Sequence, residues 1–177
     1  MPAPSQPTQY ILLPVNPWFI AFTLVFSLML NLLPVGRAAW TLAWPDWVAL
    51  TLVFWNIHQP RRVGLAVAWL LGLLMDVNNA SLLGEHALAY SVLSYTAISL
   101  HRRVLWFSLP TQMVYVLPLF LAAQLVIMLI RLAVGGGFPG LIYFAAAFIS
   151  TALWPLATYL YLAPQRRPAE KDENRPI

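Results

Sequence analysis

The sequence predicts an all-α integral membrane protein, a bundle of six transmembrane helices, and three observations carry that prediction. Of its 177 residues, 60% are hydrophobic and 9% charged, against roughly 45–50% and 25% in a soluble domain. So few polar side chains cannot cover the surface of a soluble fold. The apolar residues also come in continuous runs, near the roughly 20 residues that a helix needs to cross hydrocarbon. A membrane barrel would instead show alternating segments of about ten residues. Finally, the ten Lys and Arg residues sort by loop.

The first span covers about 18–33, opened by Pro17 and closed near Pro34-Val35-Gly36. The second, 41–57, carries Pro45-Asp46 in its first part, where proline and an acid suit helix initiation. The third runs over 63–80 and the fourth over 84–100. The fifth, 105–130, is long and holds Pro110 and Pro118, which start or kink it. The sixth, 141–162, follows the breaker "GGGFPG". Residues 1–17 read as a short cytoplasmic N-terminal arm without the basic region of a signal peptide. Residues 163–177, "APQRRPAEKDENRPI", read as a flexible charged cytoplasmic tail.

With six spans and the N-terminus inside, the cytoplasmic face receives Arg61, Arg62, Arg102, Arg103, Arg166, Arg167, Lys171 and Arg175. The outer face receives Arg37 and Arg131. Eight against two is a positive-inside bias and puts both termini in the cytoplasm. Trp18, Trp40, Trp44, Trp47 and Trp106 lie near span ends, where amphipathic rings favour the headgroup zone; Trp69 and Trp154 read as packing residues.

Several function classes drop out. Cysteine is absent, so thiol nucleophiles and thiolate metal sites are excluded. Three histidines on different borders make no metal-ligand pattern, and no cofactor motif is present. The basic pairs form no continuous nucleic-acid surface; they mark topology or meet anionic lipid.

The informative stretch is "GLLMDVNNASLLGEHALAY", residues 72–90. Gly64, Ala68, Gly72, Asp76 and Ala80 recur at intervals of four, near one helical face. Small residues at that spacing let another helix approach closely. Asp76 shares the face and lies fourteen residues beyond Arg62, roughly 21 Å along a helix. Three roles are open to it: a proton or cation site, a determinant of helix packing or partner binding, or a locally capped residue at a re-entrant turn. Gly84, Glu85 and His86 open the fourth helix near the outer face, where an acid favours the dipole. Glu85 and His86 read as interfacial capping residues, and all three join Gly64, Ala68, Gly72 and Asp76 as candidates for helix packing or partner binding. Asn31, Asn56, Gln112 and Gln124 are candidates for interhelical hydrogen bonds.

Residues 45–95 resemble the rod shape-determining MreD family. The likeness rests on Pro45, Trp47, Trp55, Pro60, Arg62, Val63 and Gly64, and then on the order G-L-L-x-D-x-x-x-x-S-L-L-G-x-H-A-L from Gly72 to Leu88. Asn79 stands where the family commonly has a small residue. The resemblance implies a non-enzymatic inner-membrane part of the bacterial cell-elongation machinery. Its partners would be MreC, most directly, with MreB, RodZ, RodA and the elongation-specific penicillin-binding transpeptidase in the same assembly. It also implies a membrane fold similar to the substrate-binding subunits of energy-coupling-factor transporters. A small-solute binding or transport subunit is the alternative, and a membrane enzyme acting on lipid is a third reading.

Overall fold

The computed structural model describes residues 10–12, 15–33 and 44–168. Arg37, Trp40, Lys171, Arg175, the start of the expected second span and most of both terminal segments lie outside the described residues. The chain builds α1 (Pro17–Asn31), α2 (Trp47–His58), α3 (Leu65–Asn78), α4 (Glu85–Leu105) and α5 (Leu109–Ala133). A 3-10 turn, Leu141–Phe144, leads into α6 (Ala145–Ala152) and α7 (Trp154–Leu162), and Pro155 marks the break between those two. Two short strands, β1 (Tyr10–Leu12) and β2 (Arg166–Pro168), pair antiparallel with Ile11 opposite Arg167. Residues 10–12, which precede α1, are thereby tied to residues 166–168, which follow α7.

The all-α character holds, but six membrane-crossing helices do not. Among the described residues, two runs are long and apolar enough to cross a membrane: Leu109–Ala133 and Leu141–Gln165. Helices α1, α2 and α3 have 15, 12 and 14 residues. At 1.5 Å per residue these reach roughly 18–22 Å, short of the roughly 30 Å hydrocarbon core. Helix α4 is longer, with 21 residues, but Glu85 and His86 at one end and His101, Arg102 and Arg103 at the other dilute it. The expected spans ran on through loops and caps because apolar residues continue there. Val63 and Gly64 precede α3, and Asp46 is the N-cap of α2 rather than an internal residue.

Helix α2 is the core. Every residue from Val48 to Ile57 is buried, as a helix apolar on all sides must be. It packs against α1, α4, α6 and α7, while α4 also meets α3 and α5. Trp55 and Trp154 are fully buried, and each gives its indole N–H to a partner: Trp55 to Thr23, Trp154 to Gln112. Trp69, expected in the packing, instead lies 47% exposed. The four amide side chains do connect elements. Asn56 donates to Ser94 across α2 and α4, and Gln124 reaches the Tyr143 carbonyl. Asn31 donates to Asp46 and accepts from the Trp47 amide.

Outward faces are apolar. Phe22, Val25 and Phe26 on α1, Leu70 and Leu74 on α3, Leu125 and Leu129 on α5, and Leu156 and Leu160 on α7 are all exposed. Such a surface suits lipid or protein contact, not water.

Candidate functional site

Polar groups gather at the end of the bundle where α3 turns into α4. Gly72 makes the approach possible. A Cβ built there would lie 2.4 Å from the Ala87 Cα and 2.5 Å from the Ala87 amide nitrogen, so only glycine lets the two backbones meet. One turn on, Asp76 is fully buried. Its Oδ1 accepts from the Ser81 hydroxyl at 3.1 Å and the His86 amide at 2.8 Å. Its Oδ2 accepts from the Gly84 amide at 2.8 Å and the Ala87 amide at 3.4 Å. The His86 ring Nδ1 lies 2.8 Å from Oδ1; a carboxylate only accepts, so this nitrogen carries the proton.

This geometry explains the local sequence. The N-cap of α4 is Gly84, whose φ of 102° is a left-handed conformation that favours glycine, and it has no capping side chain. The first amides of a helix still need acceptors. Asp76 supplies them from the preceding helix, so one carboxylate serves as the missing cap and also neutralises the positive end of the α4 dipole. Ser81 holds both the carbonyl and the carboxylate of Asp76, which fixes the turn. The motif serine, glycine and histidine are thus donors to the motif aspartate.

Glu85 and His86, expected as interfacial capping residues, are both buried. Glu85 begins α4 and pairs with the Arg131 guanidinium in the last turn of α5. Each charge sits at the helix end whose dipole favours it. Reversing both, Glu85→Arg with Arg131→Glu, restores the pair but opposes both dipoles. The double variant is expected to recover only part of the stability lost by either single one, which thermal unfolding in detergent measures.

Sequence reasoning missed a second cluster. Asp46 caps α2 by accepting from the Ala49 amide at 2.9 Å. It also accepts from the Tyr90 hydroxyl at 2.7 Å and from Asn31 at 3.0 Å, and its amide donates to Ser150. One residue therefore joins α1, α2, α4 and α6. Tyr90, one turn beyond His86 and edge-on to its ring at 6.0 Å, was legible only as a polar residue on the face already carrying His86.

The other expected positions lie apart. Ala68 is buried on the α3 face. Gly64, by contrast, is the N-cap of α3 and has open space for 4 Å around the point a Cβ would occupy, while Ala80 lies beyond the helix. Arg61 and Arg62 in the α2–α3 turn and Arg102 and Arg103 at the end of α4 are exposed at the opposite end from Asp76. Arg166 and Arg167 lie in β2, at that same basic end. Among the described residues no cluster of three His, Asp or Glu side chains is arranged to hold a metal ion.

The family model of the rod shape-determining protein MreD matches residues 14–164. The chain belongs to the MreD family. It is also 32% identical over 145 residues to the rod shape-determining protein MreD of Haemophilus influenzae, covering 78% of this chain and 85% of that one. Membership makes it a non-enzymatic membrane component of the rod-shape system. No solved structure matches the chain. The expected likeness to energy-coupling-factor subunits falls with the six-span bundle: two candidate spans and no structural match do not support it. In this MreD-family chain, the segment that carried the resemblance is the one that builds the α3–α4 junction.

Proposed function

We propose that this protein is a multi-pass component of the bacterial inner membrane that holds MreC and, through it, connects MreB with RodZ, RodA and the elongation-specific transpeptidase. Its work is assembly, not chemistry. The observation that carries this reading is the family match over residues 14–164. The geometry supports it: the buried carboxylates are already engaged, Asp76 by its ring of donors and Glu85 by Arg131. Glu85 and Arg131 do line a surface pocket of about 450 Å³ with the Gly135–Gly137 loop, but the two charges face each other, which disfavours a solute-transport reading. The exposed apolar faces supply the surface for a partner helix. In a rod-shaped bacterium depleted of its own MreD, this chain restores rods and co-purifies with MreC; spherical cells despite normal membrane levels would refute the reading.

Both termini belong on the cytoplasmic side in this proposal. Support comes from the pairing of β1 with β2 and from the placement of Arg61, Arg62, Arg102 and Arg103 at that same end. The chain lacks cysteine, so single cysteines report topology directly. Gly137→Cys, in the loop between the two candidate spans, is expected to react with an impermeant maleimide in intact spheroplasts, and Ser108→Cys only after permeabilisation. The reverse pattern would invert the orientation.

A further inference from the structure

Helix α1 leans on α2, and α3 on α4, so a groove of about 640 Å³ runs between α1 and α3. Its walls are apolar: Ile20, Leu24 and Val25 on one side, Val63, Val67 and Leu71 on the other. Both helices start at the basic end. From Pro17 to Val25 the groove extends roughly 12 Å along the helix axis, close to the roughly 15 Å of hydrocarbon in one leaflet.

Charge stands at its mouth. Arg62 lines the groove and gives one N–H to the Val15 carbonyl at 2.6 Å. That bond pins the guanidinium beside the N-terminus of α1, whose first amides are held by Asn16 but whose dipole still favours an anion. Arg61 adds a neighbouring positive charge. Among the described residues the carboxylates that form ion pairs, Asp76 and Glu85, lie at the opposite end, and none pairs with Arg62. Trp18, 81% exposed, stands at the same mouth, where an indole favours the headgroup level.

We propose that this groove binds one anionic glycerophospholipid of the surrounding bilayer, an acyl chain between α1 and α3 and the phosphate on Arg62. The amphiphilic order of the site, cation first and apolar channel behind, matches the order of such a lipid. An apolar partner helix would fill the channel but leave the fixed guanidinium without an anion. The site needs a membrane around the chain but not the link to MreC, so it is tested on the isolated protein.

The full-length protein in mild detergent is incubated with phosphatidylglycerol or phosphatidylcholine of matched chains, and retained lipid is read by native mass spectrometry. One phosphatidylglycerol is expected to stay bound in preference to phosphatidylcholine. Arg62→Gln should weaken that preference roughly fivefold, the equivalent of one surface cation near an anionic headgroup, and Arg62→Lys should recover most of it. Ala21→Trp, on the groove wall, should remove the bound lipid, whereas Arg103→Gln, outside the groove, should leave it. A phosphatidylglycerol with a diazirine on its acyl chain should label peptides of α1 and α3. Retention indifferent to headgroup charge, labelling spread evenly over all apolar faces, or a dimer that excludes lipid would each overturn the proposal. Failure to restore rod shape, with lipid still bound, would count against the assembly role alone.

Discussion

Gly72→Ala is expected to destabilise the protein by about 3 kcal/mol or more, beyond the usual range for a single added methyl group in a core. The reason is what the methyl group meets. Its carbon would stand 2.4 Å from the Ala87 Cα and 2.7 Å from the His86 carbonyl carbon. These are backbone atoms of a neighbouring helix, not the end of a flexible side chain. Relief requires α3 and α4 to part, and parting them pulls Asp76 away from the amides of Gly84 and His86, which it holds at 2.8 Å. Packing and capping are therefore lost together. Because the clash is with backbone, Ala87→Gly does not rescue the variant. Gly64→Ala is the control: it meets nothing within 4 Å at a φ of −105°, and should cost less than about 1 kcal/mol. Thermal unfolding in detergent separates the two. Equal melting temperatures for Gly72→Ala and Gly64→Ala would show that the helices are not locked as described.

That contrast also locates what the sequence could reveal. Intervals of four placed Gly64, Ala68, Gly72, Asp76 and Ala80 on one face, and the central three do share a buried one. The periodicity had no means of showing where the helix began and ended. Gly64 became a cap, and Ala80, with φ of 48°, became part of the turn. The same weakness produced six spans. Hydropathy adds up apolar letters irrespective of whether a residue is inside a helix, in its cap or in a loop. Helix α2, buried on all sides by other helices, reads in sequence like a lipid-facing span. The role of Asp76 was legible only as three alternatives, because its five donors come from residues five to eleven positions ahead, across a turn. The Asp46 cluster was illegible for a stronger reason. Asn31, Tyr90 and Ser150 are 15, 44 and 104 residues from Asp46, and no local pattern joins them.

Asp76→Ala is expected to cost about 3–5 kcal/mol, because it leaves several donors at the α4 N-terminus without an acceptor, each worth about 1–3 kcal/mol when buried. The buried amides of His86 and Ala87 and the amide of Gly84 would lose their acceptor while α4 lost its only side-chain cap. Asp76→Asn should be nearly as harmful, although it preserves shape. Every group around the carboxylate is a donor, so the new amide nitrogen would face donors with nothing to give to. His86→Ala removes one ring contact among several and should cost only about 1–2 kcal/mol. This ordering decides between two ways in which Asp76 would serve the proposed assembly role. If it acts by fixing the α3–α4 junction, loss of MreC co-purification tracks loss of melting temperature across Asp76→Ala, Asp76→Asn and His86→Ala. If it touches the partner, Asp76→Asn keeps a normal melting temperature and still loses MreC. Full burial of the side chain, with both oxygens already occupied, favours the first pattern: the aspartate shapes the surface that a partner meets without forming part of it.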